Sequence, residues 1–262
     1  MSWLIRRAVR QCFSRRPNGG APDSRFDVEA ARRTATSVRD EGGAAITSRV
    51  SELLVDGPIT GFVGLVIEPD AATIEHAYDL ARELMPHGPE SALAPGSLPH
   101  ITLTQCAVRE APRDRVRQML VPFNRELHSM SIPLRAIRPF GGGFLFWCVN
   151  DASPERAALQ RVHEYAITLA DGVLDPVANA AVVEGTITLT KNDPRLVANA
   201  RAYGYAFACE AYLPHITLGF DPRLASGASA FAPRDHRHTM TVVRVALAKM
   251  GRYGAVEGVY AL

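Results

Sequence analysis

The sequence predicts an α+β domain made of two pseudo-symmetric halves. Two observations predict it. Short, β-branched apolar runs alternate with stretches whose apolar residues recur at helical spacing. The hexapeptide Leu98-Pro99-His100-Ile101-Thr102-Leu103 also returns as Leu213-Pro214-His215-Ile216-Thr217-Leu218, each copy following a strand-then-helix unit. The offset between the copies is too long for a solenoid repeat and suits two halves of one domain.

The elements follow in order. Residues 1–16 carry Arg6, Arg7, Arg10, Arg15 and Arg16 and no acid, with Ile5, Ala8, Val9, Cys12 and Phe13 at helical spacing. A frayed helix, a mitochondrial-type presequence and a membrane-surface anchor all fit this segment; a secretory signal does not, because no apolar h-region is present. Residues 17–45 turn to Pro, Gly, Ser, Thr, Arg and Asp and read as a flexible linker, with a short helix around 26–39. Residues 1–45 thus form a basic amphipathic segment and linker, and 46–262 the folded domain. Gly61 to Ile67, ended by Pro69, reads as a buried strand. Residues 71–85 read as a helix capped by Asp70 and stopped by Pro86, with Ile74, Ala77, Tyr78, Ala81 and Leu84 on one face. A loop over 86–97 leads to a strand from Leu98 to Cys106, then a helix over 112–127. Strands at 131–137 and 144–150 follow, joined by a bend at Gly141-Gly142-Gly143. Ser153 is a candidate cap for a helix that begins at Pro154. Residues 171–211 are less regular. Leu213 to Phe220 reads as a strand, and 239–249 and 255–262 as a closing hairpin around Gly251-Arg252-Tyr253-Gly254.

Of the 262 residues, 47% are apolar and 21% charged, as in ordinary globular proteins. A balance of 29 Lys+Arg against 27 Asp+Glu leaves +2, which excludes the broad basic field of a double-stranded DNA binder. Small or single-stranded anionic ligands remain open. No apolar run approaches the roughly 18 residues of a membrane span. Cys12, Cys106, Cys148 and Cys209 include no Cys-x-x-Cys pair, which argues against a zinc ribbon or thioredoxin-type site. Their scatter fits buried thiols in a reducing, cytoplasmic compartment and leaves a disulfide open, with the mitochondrion as the alternative that the Arg-rich start suggests.

Residues two apart on a strand share a face, so each repeat projects an imidazole beside a hydroxyl. Two such pairs across a groove suit displacement at phosphorus. One histidine takes a proton from the attacking oxygen while the other gives one to the leaving oxygen. Thr102 and Thr217 would hold non-bridging phosphoryl oxygens. The scheme needs no metal and no cofactor. A repeat kept for folding alone would preserve the apolar Leu and Ile, yet His and Thr recur as well. His236-x-His238 lacks a completing ligand and reads as a solvated loop. In the stretch 171–211, Tyr203, Tyr205, Lys191 and Arg195 are candidates for substrate binding, through base stacking and phosphate contact. Alternation of Tyr203, Tyr205 and Phe207 fits the core face of a strand better than it fits substrate binding.

Paired His-x-Thr motifs, each preceded by Pro and set in an apolar strand, resemble the 2H phosphoesterase superfamily. It includes 2′-5′ RNA ligase-like proteins and RNA 2′,3′-cyclic phosphodiesterases. The resemblance spans about residues 58–262. It implies a bilobal fold in which two antiparallel sheets line a central cleft with helices outside. It further implies metal-independent chemistry on an RNA or oligonucleotide phosphodiester by a monomer, with His100 and His215 as the acid–base pair and Thr102 and Thr217 at the phosphate. For cyclic phosphate opening, His215 would activate water and His100 protonate the leaving oxygen. The chain departs from common members in having Thr104-Gln105 after the first motif, and Gly219-Phe220-Asp221-Pro222 where some carry an arginine soon after the second. The alternatives are a non-catalytic RNA- or nucleotide-binding module, and a hydrolase of 2′-5′ oligoadenylate or cyclic-dinucleotide signals. RNA ligation would be a weak reverse activity.

Overall fold

A computed structural model describes residues 53–85, 97–141, 143–171, 173–180, 183–184, 193–225, 231 and 233–262. The basic segment and linker over 1–45 lie outside them, as do Pro86 and Lys191.

The chain begins with the short β1 (Leu54–Val55) and the long β2 (Ile59–Pro69). Pro69 ends β2, and Asp70 caps α1 (Ala71–Leu84) by accepting from the Thr73 backbone N–H. β3 (Ile101–Ala111) runs five residues beyond the sequence reading into α2 (Arg113–Leu127). β4 (Ser131–Phe140) and β5 (Phe144–Val149) are joined by a tight turn in which Gly143 takes a φ of +104°. A Cβ there would lie 2.4 Å from the Asp221 carbonyl oxygen, so only glycine fits. α3 (Pro154–Asp171) starts where Pro predicts. The Ser153 hydroxyl, however, is buried without a hydrogen bond among the described residues, and the backbone carbonyl of Ser153 holds the first turn instead.

The stretch read as irregular contains α4 (Pro194–Tyr203). Its signals are local. The Asp193 carboxylate accepts from the backbone N–H groups of Arg195 and Leu196, Pro194 opens the helix, and Gly204 ends it at φ +74°. The alternation of Tyr203, Tyr205 and Phe207 is therefore not a strand. β6 (His215–Phe220), α5 (Pro222–Ala225), β7 (Arg234–Met250) and β8 (Val256–Tyr260) complete the order.

The α+β class is as read. The strands form one mixed sheet of eight, in the order β1-β8-β7-β2-β3-β6-β5-β4, rather than the two sheets that the family resemblance implies. Among the described residues, only β1 with β8 is parallel. β7 also pairs with β4, closing the sheet on itself. It does so by length: residues 242–249 bond to β2 and 234–241 to β4. Ile67, Ile101, Ile132, Leu134, Leu145, Trp147, Ile216 and Met240 fill the enclosed core, each at most 1% exposed.

The same plan occurs twice. β2 leads through α1 to its antiparallel neighbour β3, and β5 leads through α3 and α4 to its antiparallel neighbour β6. The two units meet at one registered pair, Ile101 with Ile216.

Candidate active site

That pair defines the site. Ile101 and Ile216 are the same position of the two hexapeptides, and they face each other across an antiparallel ladder. One step along the register either way sets His100 across from Thr217 and Thr102 across from His215. Both isoleucines point into the core, so by alternation the two histidines and two threonines share the other face. Two pairs of side chains more than a hundred positions apart in the chain are thereby gathered around a local twofold axis.

A second shared device sharpens the placement. On β3, Thr102 pairs with Val66 and Thr104 with Leu65, leaving Leu103 as an extra residue. On β6, Thr217 pairs with Phe146 and Gly219 with Leu145, leaving Leu218 as the extra one. Each hexapeptide ends on a β-bulge at the same position. Bulges bend a strand and are frequent beside active sites. The shift turns Thr104 toward the core beside Leu65, where its hydroxyl has no hydrogen-bond partner among the described residues. Thr104 thus leaves the face that carries Thr102.

The histidines are held alike. Nδ1–H of His100 donates to the Leu98 carbonyl at 2.7 Å, and Nδ1–H of His215 to the Leu213 carbonyl at 2.5 Å. A carbonyl only accepts, so both rings carry the Nδ1 proton and leave Nε2 as the open nitrogen. Each side chain is 8% exposed. Burial lowers the pKa of His100, against the raising effect of its backbone hydrogen bond. His215 is pushed down to about 4, first by burial and then by the charges of His100 and Arg138. The hydroxyls of Thr102 and Thr217 are half-buried and make no hydrogen bond among the described residues. They are free to donate to a ligand.

The two sides differ in what surrounds them. The His215 ring stacks on Phe146, with centroids 3.6 Å apart and planes at 23°, and Phe207 meets it edge-on at 5.7 Å. The register partner of His215 is Cys148, whose Sγ accepts from Nε of Arg138 at 3.2 Å. Nη2 of Arg138 reaches Asp151 at 2.9 Å. Beside His100, the register places Glu68, which is buried and takes Nε–H of Arg244 at 2.6 Å. Sequence reasoning missed Phe146 and Arg138, and read Phe207 only as part of an alternating aromatic run. Arg138 stands as the one cation in the run Leu134 to Phe140 after Arg135, at the same parity as the site face; only the pairing of β4 with β5 gives that parity meaning.

The other candidates fall elsewhere. Tyr205 is 3% exposed, packed edge-on against His163 and Phe207, and has no open face for a base. Tyr203 ends α4 half-buried. Arg195 lies on the exposed side of α4, 3.5 Å from Asp193. His236 and His238 are not in a loop. They stand on β7 and pack with Trp147 and with His76 of α1, Nε2 of His76 lying 2.7 Å from Nε2 of His236. Arg223 follows the Gly219–Pro222 stretch and is bound by the Asp221 carboxylate through Nε and Nη2. His163 is wholly buried: Nδ1–H donates to the carbonyl of the bulged Leu103, and Nε2 accepts from the Cys209 backbone N–H at 2.9 Å. It ties the first motif to the turn that leads into the second.

Among the described residues, no group of three or more His, Cys, Asp or Glu side chains is arranged to hold a metal ion, and no helix is long and apolar enough to cross a membrane. Neither a protein-family model nor a curated protein matches the chain.

Proposed function

We propose that the protein is a phosphodiesterase of the 2H phosphoesterase type, acting on 2′,3′-cyclic or 2′-5′ phosphodiesters of RNA or oligonucleotides. The observation that carries this reading is the twofold pairing at Ile101 and Ile216. It sets two Nε2 atoms and two unpartnered hydroxyls on one face. In the proposed cycle, Nε2 of one neutral imidazole takes a proton from water. The water oxygen bonds to phosphorus, and the bond from phosphorus to the ribose oxygen breaks. Nε2–H of the other, protonated ring gives its proton to that oxygen. Thr102 and Thr217 donate to the non-bridging oxygens, whose charge grows in the transition state.

We assign His215 as the base. Burial first, and then the charges of His100 and Arg138, keep its ring neutral, and the anionic phosphate on binding would favour the imidazolium of His100. The bilobal description fits the same reading, β7 being the shared strand between a β2–β3 unit and a β4–β5–β6 unit.

The test is chromatography of reactions in excess chelator. The panel holds a 2′,3′-cyclic mononucleotide, a 2′-5′ adenylate trimer, a 3′-5′ control and a cyclic dinucleotide, with the His100→Ala/His215→Ala protein as blank. Cleavage of at least one member by the native protein alone is the expected result. Binding without cleavage of any would replace the reading with that of a nucleotide-binding module.

A further inference from the structure

Arg138 enters the proposed chemistry only through its charge at His215; its own hydrogen-bond donors have no part in that scheme. It lies on β4, on the face opposite Ile137, which is core. Its Nε–H reaches the Cys148 sulfur, so the side chain leans across β5 toward β6, and Cys148 is the register partner of His215. The guanidinium carries five N–H donors. One goes to Cys148 and one to Asp151, and Nη1 has no partner among the described residues. The side chain is 37% exposed and Asp151 62%, so solvent and ligand reach both.

The arginine on the corresponding strand of the other half, β7, shows what a purely structural arginine looks like. Arg244 faces Glu68, a carboxylate that is only 8% exposed, at 2.6 Å, and its charge is matched within the protein. Arg138 instead meets a thiol whose pKa burial raises, and which therefore stays uncharged, together with an exposed acid. Its positive charge is felt at His215.

Distance decides which part of a substrate it meets. β4 and β6 are two strands apart, about 10 Å. Arg138 leans partway across that gap. A phosphate held between His100 and His215 already has both threonines. Arg138 then stands beside the next anionic group along the substrate.

We infer that Arg138 is the anchor of a second phosphate-binding subsite, so that the preferred substrates carry a further phosphate next to the one cleaved. This rests on His100 and His215 marking the reacting phosphate. A planar guanidinium pre-set by Cys148 and Asp151 offers the paired donors that phosphate takes.

Equilibrium binding tests it without requiring turnover. Adenosine 3′,5′-bisphosphate and adenosine 3′-monophosphate are titrated into the native chain, Arg138→Gln and Asp151→Asn. The native chain should bind the bisphosphate at least tenfold more tightly. Arg138→Gln should lose that preference and leave the monophosphate within threefold. Asp151→Asn, which removes a competing anion, should bind the bisphosphate as well or better. Equal binding of both ligands by the native chain, or equal weakening of both by Arg138→Gln, would overturn the subsite. A bisphosphate preference that depends on Arg138 in a protein that cleaves nothing would keep the subsite and remove the phosphodiesterase reading. Cleavage of a cyclic mononucleotide with no such preference would do the reverse.

Discussion

The two His-x-Thr strands share six residues, one bulge position and one histidine geometry, yet they sit in different neighbourhoods. The first lies beside β2, where Val66 and the pair of buried Glu68 with partly exposed Arg244 make a side that is matched in charge. The second lies beside β5, where Phe146 stacks on the imidazole and an incompletely matched Arg138 stands one strand beyond. Duplication thus repeats the imidazoles and hydroxyls on which the proposed proton transfer rests. Divergence of the flanking strands adds a cation on the side of His215 and a matched ion pair on the side of His100. A symmetric pair of histidines becomes asymmetric without altering either histidine.

The first way to break this comparison is to remove the shared parts. His100→Ala and His215→Ala should each lower turnover by about 10²- to 10⁴-fold, since each ring performs one proton transfer. Circular dichroism should be unchanged. Retention of more than a third of the activity by either variant would mean that the twofold face is not the reacting centre. The threonines come next. Thr102→Ala and Thr217→Ala should each cost about 10²-fold, the usual worth of a donor to a developing oxyanion. The loss should appear in kcat rather than in KM. Substitution by Ser, which keeps the hydroxyl, should restore most of the rate.

His163 tests the framework that joins the two motifs. Burial lowers its pKa to about 4 from an ordinary 6.5. In the window between those values the unfolded chain binds the proton and the folded chain does not. Stability therefore rises with pH across that window, is fully present above about 6.5, and is lost as pH falls. The shift corresponds to about 3 kcal/mol. His100, His215, His236 and His238 are lowered too and act in the same direction. Urea midpoints measured from pH 7.5 to pH 4.5 should fall steeply for the native chain. His163→Gln should flatten that slope while starting from a less stable protein. A constant gap between the two curves would show that His163 does not titrate on unfolding.

Much of this was legible in the sequence because it is local. Asp70 as a cap, Pro69 as a strand end, Pro154 as a helix start and the His-x-Thr parity need only neighbours in the chain. What was not legible depends on strands meeting. Thr104 leaves the site face because a bulge intervenes at Leu103, and no residue type announces that bulge. Tyr203 and Tyr205 alternate like a strand, but Asp193, Pro194 and Gly204 bracket a helix between positions 193 and 204, and those caps outweigh a three-residue alternation. His236 and His238 read as solvated until β7 proved long enough to bond to β4 as well as β2. Arg138 had no meaning before its strand was placed beside β5.

The smallest expected effect separates the two arginines. The Arg138 cation disfavours the imidazolium of His215, so its removal must raise that pKa. In the pH dependence of kcat/KM on a cyclic mononucleotide, the base must be deprotonated, and activity rises with pH through its pKa. Arg138→Gln should therefore move the acid-side limb upward by less than about one pH unit, since the guanidinium lies a strand away and is partly solvated. Arg244→Gln should leave that limb in place, because the Glu68 carboxylate cancels the charge of Arg244 locally. It should instead lower the melting temperature, since it strands a buried carboxylate. If both variants moved the limb equally, the asymmetry between the histidines would arise from something common to the two halves. If neither did, burial and the charge of His100 would set the His215 pKa, and the divergence of β4 and β5 would concern substrate contact rather than the choice of base.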